Sequence, residues 1–534
     1  MSYSGHLHPL KPTRMQEYET LAAIDLGSNS FHMQVGRVEG DQLFYLDAIK
    51  EPVRLASGLT ALKHLDAASQ RRALNCLARI GERLQGMPAG AVRAVGTSAL
   101  RVAKNSPEFL EKARAALGFE IEIVAGREEA RLIYLGVSHS LPLTQTPRLV
   151  VDIGGGSTEC IIGAGYDPQE RESLRMGCVV FSKQFFPAGA MDKAAMHAAD
   201  TAARVEIQLV ARQFRASAAM PVWREAVGSS GTARALGEIC RLNGHSDGAI
   251  TLTGLHWLRD RMIKAGQIEQ LELPGLKPDR RPVIAGGLTI MLALFEELGI
   301  EIMTVAQGAM REGILWDLLG RVHDRDMRDI TVSQFQRRYH VDGKQARRVG
   351  DLSRQLAHGL APQLAACRTL VVDSDLQPTI PKPDRLLDDD ALRALAWAAL
   401  LHEIGISIAH SGFHKHGAYI LENADMPGFS RRDQTRLAAL VRASRGGLNK
   451  LVLSRTDPNW PLILCLRLAV LFNGGRNNLT LPKMRLECRD GACELHLAAA
   501  WLNANPLTQA ALDDELKAWR DVAPSIGLAM LRAE

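Results

Sequence analysis

Two short stretches of the chain carry residue types that phosphate chemistry needs. "VDIGGGSTECIIG", residues 151–163, sets an aspartate, three glycines, a serine, a threonine and a glutamate between apolar runs. "IDLGSNSFHMQVG", residues 24–36, has nearly the same frame. Asp25 matches Asp152, Gly27 matches Gly154, Ser30 matches Ser157 and Gly36 matches Gly163, all at one offset of 127 positions. A Gly/Ser turn can gather backbone N–H groups into a concave anion site, and a missing Cβ lets a phosphate oxygen come close. Gly27, Gly154, Gly155 and Gly156 suit that approach, while Ser28, Asn29, Ser30, Ser157 and Thr158 add side-chain donors. Carboxylates repel phosphate. Asp25, Asp152 and Glu159 therefore suit Mg²⁺, a hard ion that bridges carboxylate and phosphate oxygens. An ordinary Gly-rich hairpin accounts for one such copy, but two matched copies favour the phosphate reading.

Further Gly-rich turns follow. "EAVGSSGTARALGEI" (225–239) predicts a short strand, a turn and a helix starting near Thr232. That puts Gly228, Ser229, Ser230, Gly231 and Thr232 at a helix N-terminus, where free N–H groups and partial positive charge favour an anion. "VIAGGLTIMLALFEEL" (283–298) predicts strand, Gly pair and helix in the same way. The Walker pattern G-x-x-x-x-G-K-[ST] is absent, no G-x-G-x-x-G opens a helix after a strand, and Ser157 is not in a G-x-S-x-G elbow.

These loops need elements to hold them. β-branched and apolar flanks ("RLVVD", "CIIG"; "LAAID", "MQVG") predict strand, tight turn, strand in both copies. A repeat at this offset predicts two similar α/β domains whose hairpins face each other. At 534 residues the chain is too long for one core and predicts three or four domains. Its 46 % hydrophobic and 23 % charged content excludes a disordered chain, and no apolar run is long enough to span a membrane. The net charge of +5 leans only weakly toward anionic partners. Eight scattered cysteines without C-x-x-C read as reduced thiols of a cytosolic protein, mostly core filler. The polar N-terminus has no signal-peptide core.

Taken together, "IDLGSNSFHM", "RLASGL", "VGTSALR", "GREEARLIYLGV", "VDIGGGSTE", "MGCVVF", "GSSGT", "LPGL" and "AMREGIL" resemble the exopolyphosphatase and guanosine pentaphosphate phosphohydrolase family. "HEIGISIAHSGFHKHGAYIL" (402–421) and "DMPGFS" (425–430) extend the resemblance to the long bacterial members. It implies a duplicated actin-like fold of the sugar kinase, heat shock and actin superfamily. The expected domains are 1–135 and 136–320, then an α-helical HD-like domain over 325–478 and a small C-terminal α/β domain over 479–534. It also implies roles. Glu129 in "GREEAR" matches the catalytic glutamate, with Glu128 beside it. Asp152 and Glu159 match metal-binding acids, and Arg101 matches a basic residue facing the substrate phosphates. A helix capped by Thr97 would carry Arg101 one turn in.

The resulting expectation is an exopolyphosphatase that removes terminal phosphate from inorganic polyphosphate, with Mg²⁺ and a water activated by Glu129. The alternative is hydrolysis of guanosine pentaphosphate to tetraphosphate. A kinase of the same superfamily and a non-catalytic polyphosphate sensor fit "GREEAR" and the intact acids less well. No nucleic-acid partner is expected. The resemblance implies a homodimer, placed in the cytoplasm or peripherally at the inner membrane.

In the second half, "SQFQRRYH", "DGKQARRVGDLSRQLAHGL" and "DALRALAWAALLHEIGISIA" predict helices, and 373–390 predicts a long loop. His402 is followed by Glu403 rather than the HD aspartate, so His410, His414 and His416 nearby suit a structural or phosphate-contacting role better than a second metal centre. Arg347, Arg348, Arg431, Arg432, Arg436, Arg442, Arg445 and Lys450 could line a track for a polyanion, or simply solvate helix faces. "LPKMRLECRDGACELHLAAAW" (481–501) predicts two strands joined by a turn at Asp490–Gly491.

Overall fold

A computed structural model of the chain describes residues 18–216, 222–322, 326–366, 387–476, 481–489 and 492–533. Most of the loop expected over 373–390 and the turn expected at Asp490–Gly491 lie outside these residues. The chain forms two compact units, residues 1–327 and 328–534.

The first unit contains two sheets of matching topology. The first is built from β1 (Thr20–Leu26), β2 (Phe31–Glu39), β3 (Gln42–Glu51), β4 (Val92–Gly96) and β5 (Ile121–Ile123), ordered β3-β2-β1-β4-β5. The second contains β6 (Arg148–Ile153), β7 (Thr158–Ala164), β8 (Asp167–Leu174), β9 (Glu225–Ser229), β10 (Ile250–Thr251) and β11 (Ile302–Val305), ordered β10-β11-β9-β6-β7-β8. In each sheet an antiparallel hairpin (β1–β2, β6–β7) leads to a third antiparallel strand, and the hairpin's first strand pairs in parallel with a later one (β4, β9). The repeat read from the two loops is thus a repeat of whole sheets. β1 and β6 are nearly continuous runs of buried apolar residues, as central strands covered on both faces should be.

The helices of this unit are α1 (Ala67–Arg83), α2 (Ser98–Val102), α3 (Ser106–Leu117), α4 (Gly126–His139), α5 (Cys178–Phe185), α6 (Lys193–Gln208), α7 (Ala211–Phe214), α8 (Ser230–Leu242), α9 (Leu252–Ala265), α10 (Ile284–Leu298) and α11 (Met310–Val322). Two boundaries differ from expectation. α8 starts at Ser230, two residues before Thr232. The strand expected before the Gly pair at 286–287 is absent, and the segment is helical from Ile284. Its apolar run is buried on all sides, and a short buried apolar run has no periodicity that separates strand from helix.

The second unit contains α12 (Met327–Arg338), α13 (Gly343–Ala366), α14 (Asp389–Leu401), α15 (Phe413–Asn423), α16 (Arg431–Ala443), α17 (Trp460–Phe472), α18 (Ala499–Ala504) and α19 (Pro506–Val522). A small sheet, β12 (Arg485–Arg489), β13 (Ala492–Leu497) and β14 (Gly527–Ala533), completes it. The helix expected through 409 ends at Leu401, and a short 3-10 turn follows at Ile404–Ser407. The reduced-thiol expectation fails at one place. Cys488 and Cys493 face each other across the β12–β13 ladder and form a disulfide. Their spacing alone could not reveal this, because only the hairpin register sets them opposite each other. Cys76, Cys160, Cys178, Cys240 and Cys465 are free and buried.

Candidate active site

The two Gly-rich loops meet within the first unit. A Cβ on Gly155 would lie 3.1 Å from the Ser28 Cβ and 3.3 Å from the Asn29 nitrogen. A Cβ on Gly156 would lie 2.8 Å from Ser98 Oγ and 3.1 Å from Ser28 Oγ. Glycine is what allows this close approach. Loop 154–157 is also held by α5, whose Cys178 and Val179 N–H groups donate to the Gly154 and Gly155 carbonyls at 2.9 and 3.0 Å. In loop 27–30 the Ser28 and Asn29 carbonyls accept from Ala56 and Arg54 N–H at 2.9 and 2.7 Å.

Many of the loop hydroxyls are already engaged. Thr158 is fully buried and donates to the Met176 carbonyl at 2.7 Å. Ser230 and Thr232 both donate to the Ile153 carbonyl at 3.0 Å, tying the third Gly/Ser turn to the second loop. Ser229 donates to Gly308 O at 3.2 Å. Ser230 holds a left-handed φ of 77°, a costly conformation for a residue with a Cβ and one that clusters at functional sites. Gly228 is the penultimate residue of β9, and Gly231 leaves the space that the Arg280 guanidinium fills. The Thr97 cap does not form. Thr97 occupies the position before α2, but its hydroxyl reaches the Leu26 carbonyl at 3.5 Å. Ser28 Oγ accepts from the Ala99 N–H at 3.2 Å instead, so the first loop caps α2 and fixes Arg101 relative to itself. Ser30 and Ser157 are buried beside their loops, and Gly27 packs against the Ser30 carbonyl.

The hairpin registers place the acids. Asp152 pairs directly with Glu159 across β6–β7, and Asp25 pairs with His32 across β1–β2. Glu129 enters from the first turn of α4 and accepts from Arg101 Nη1 at 2.6 Å, while the same nitrogen donates to the Val124 carbonyl at 3.0 Å. Glu128, its neighbour, turns away and is held by both arms of Arg131 at 2.8 Å. Of the two glutamates in "GREEAR", Glu129 acts electrostatically on Asp25, Asp152 and Glu159. Burial, then Glu129 and Asp152, push the Asp25 carboxyl up to about 8 against the pull of Arg311. Burial, then Glu129, push Asp152 up to about 6, although the neighbouring Ser229 and Ser230 side chains and Arg234 oppose them. Glu159 is raised well above the usual range by burial, Glu129 and Asp152, although Ser173 Oγ donates to it at 2.8 Å.

Whether this set suits a cation can be judged from its own atoms. Among the described residues no three His, Cys, Asp or Glu side chains are arranged as a ready-made metal cluster. The donors of Asp25, Asp152 and Glu159 are hard oxygens, and Asp25 Oδ1 is buried without a hydrogen-bond partner. Three buried acids whose proton affinity is raised by burial and by the nearby Glu129 call for positive charge, and a hard divalent ion fits.

Sequence reasoning missed a group of cations beside these acids. Arg234, Arg280, Arg311 and Lys50 come from α8, the loop before α10, α11 and β3. Burial, then Arg280 and Arg234, lower the Lys50 ammonium. Burial and Arg311 lower Arg234, with Asp152 opposing. The same four cations, after burial, hold His32 neutral at about 3. Crowded like charges beside a Gly/Ser loop suit an anion. Arg234, within "EAVGSSGTARALGEI", and Arg311, within "AMREGIL", lay in stretches singled out beforehand, but neither was read as a cation of the site, because lone arginines in helices carry no distinctive pattern.

In the second unit, His402 is buried, with Nδ1 2.7 Å from the Ala399 carbonyl, and Glu403 pairs with Arg476. His414 is lowered by burial, then by Lys415, Arg445 and Arg442, and its Nδ1 is buried without a partner. Arg436 turns inward to Asn459 Oδ1, and Arg348 hydrogen-bonds Gln345 Oε1 and the Arg476 carbonyl. The structure thus sorts the basic residues: Arg442 and Arg445 gather around His414, whereas Arg436 and Arg348 serve local packing. Among the described residues no helix is long and apolar enough to cross a membrane.

Solved structures are similar over more than half of the chain. An exopolyphosphatase from Cytophaga hutchinsonii is 22% identical over 57% of this chain and 98% of its own, with a TM-score of 0.50. The Aquifex aeolicus PPX-GPPA enzyme is 24% identical over 56% of this chain and 98% of its own, with a TM-score of 0.46. The Ppx/GppA phosphatase family profile matches residues 35–322, and the profile of Ppx/GppA phosphatase domain III matches residues 327–516. The two profile matches together span most of the chain: it belongs to the Ppx/GppA phosphatase family and is a phosphoanhydride-hydrolysing enzyme.

Proposed function

We propose that the protein is an exopolyphosphatase, releasing terminal phosphate from inorganic polyphosphate. One observation carries the reading: a glutamate held by an arginine, three buried acids and four crowded cations share one site at the meeting of two Gly-rich loops. Mg²⁺ held by Asp25, Asp152 and Glu159 would supply positive charge against the terminal phosphate oxygens. Glu129 accepts a proton from the attacking water as that water's oxygen bonds to phosphorus. The P–O bond to the rest of the chain breaks, and its electron pair stays on the departing phosphate oxygen. Arg101 orients Glu129 before substrate binds and faces the phosphate once it arrives. Lys50, Arg234, Arg280 and Arg311 neutralise further phosphates of the chain. The cations around His414 give a polymer a second point of attachment on the other unit. The four separate domains expected earlier and a homodimeric assembly belong to the same reading.

Phosphate release compared side by side on long-chain polyphosphate and guanosine pentaphosphate tests this. Faster turnover of polyphosphate at matched phosphate concentration is expected. A clear preference for the nucleotide would reassign the substrate while leaving the site intact.

A further inference from the structure

The first turn of α4 carries two adjacent glutamates, and successive helical residues point about 100° apart. Only one can face the loops. A buried charge network decides which. Arg131, one turn further along α4, holds Glu128 with Nε to Oε2 and Nη2 to Oε1, both at 2.8 Å. The same Nη2 pairs with Asp317 of α11. Asp317 also accepts from Arg93 Nη1 of β4 at 2.6 Å and from Arg321 Nε at 3.1 Å. The Glu128, Arg131, Arg93 and Asp317 side chains are no more than 4 % exposed. Although burial works against its charge, Arg131, Arg93 and Arg321 hold the Asp317 carboxyl well below the usual range.

The backbone supports the same contact. A Cβ on Gly136 would lie 2.0 Å from the Ala309 carbonyl oxygen, and one on Gly313 1.7 Å from the Leu132 carbonyl oxygen. α4 and α11 therefore cross in direct backbone contact, and α4 cannot rotate without disturbing α11.

We propose that Asp317 is a positioning residue: by fixing Arg131, and through it Glu128, it sets the rotation of the α4 first turn that aims Glu129 at Arg101 and the reacting water. This rests on the reading of Glu129 as the base. Asp317 lies outside that set of acids and touches no substrate.

The test uses full-length protein and phosphate release from polyphosphate. Asp317→Asn keeps the shape and removes the charge. Its kcat should fall about 10- to 100-fold, the range a small misplacement of a catalytic group costs, with KM within about twofold. Arg131→Lys keeps the charge and loses the two-armed grip on Glu128, and it should act in the same direction. Added to Glu129→Gln, Asp317→Asn should change the residual rate less than about twofold, because it acts through Glu129. A purely structural role would lower activity equally in both backgrounds. Parent-like kcat in Asp317→Asn, an equal loss in both backgrounds, or failure of both variants to fold would each overturn the proposal. Parent-like activity of Glu129→Gln alone would instead remove the base assignment, so the two failures are told apart.

Discussion

Asp25 offers a test that needs no substrate. Its carboxyl is pushed up to about 8, whereas in an unfolded chain it titrates near its ordinary value of 3.8. A raised carboxyl contributes stability that is present in full below about pH 4 and lost as pH rises through about 8. Between those limits the folded protein keeps a proton that the unfolded chain releases, so stability falls by about 1.4 kcal/mol per pH unit. From pH 5 to 7 the loss attributable to Asp25 is about 3 kcal/mol, on the order of a hundredfold in the opening equilibrium. Asp25→Asn cannot titrate and should not show it. Cys160 and Cys178 are buried in the same unit, so their labelling by a thiol reagent in EDTA reports its opening. Thiol chemistry and the second unit are common to both proteins and cancel in the ratio of rates. The wild type should therefore label progressively faster relative to Asp25→Asn as pH rises. Magnesium added at pH 7 should slow labelling of the wild type more than of the variant. A ratio that stays flat from pH 5 to 7 would refute the reasoning.

Three further outcomes are expected. Glu129→Gln should lose about 10² to 10⁴ in kcat while retaining polyphosphate binding, as measured by turnover and by equilibrium binding. Asp152→Asn and Glu159→Gln should each need more Mg²⁺ for half-maximal activity; saturation at the parent's concentration in both would exclude them as ligands. Arg442→Ala combined with Arg445→Ala should release long polyphosphate after fewer cuts, seen as intermediate lengths on gels. The parent's advantage should shrink with salt, because screening weakens phosphate contacts.

The loops were legible because their signal is local. Gly, Ser and Asp at matched positions between apolar flanks identify a strand-turn-strand without knowledge of anything distant. The duplicated sheet followed from the same repeat. Residues whose significance comes from distant partners were not legible. Asp317 reads as an ordinary helix acid until Arg93 and Arg131, remote in sequence, close around it. Lys50 and Arg234 likewise look solvated until the fold brings them together. The choice between Glu128 and Glu129 came from resemblance alone, and the Arg131 grip gives it a geometric basis. Two local expectations failed: the strand before the Gly pair at 286–287 is absent, because a short buried apolar run does not separate strand from helix, and the Thr97 cap is replaced by Ser28, which the fold brings to α2.

The two hairpins share a frame but differ at one decisive register position. Opposite Asp152 stands Glu159, and opposite Asp25 stands His32, which is held neutral. A strictly symmetric duplication would present two equivalent acid pairs and no preferred sense for a linear anion. Replacing one carboxylate with an uncharged imidazole breaks that pseudo-twofold equivalence and concentrates negative charge on one half. Arg311, with Nη1 3.5 Å from His32 Nδ1, then leaves the opposite half electropositive. The site thereby acquires polarity along the line joining the two loops, and under the proposed function a polymer whose ends are chemically identical would bind with one end distinguished from the rest.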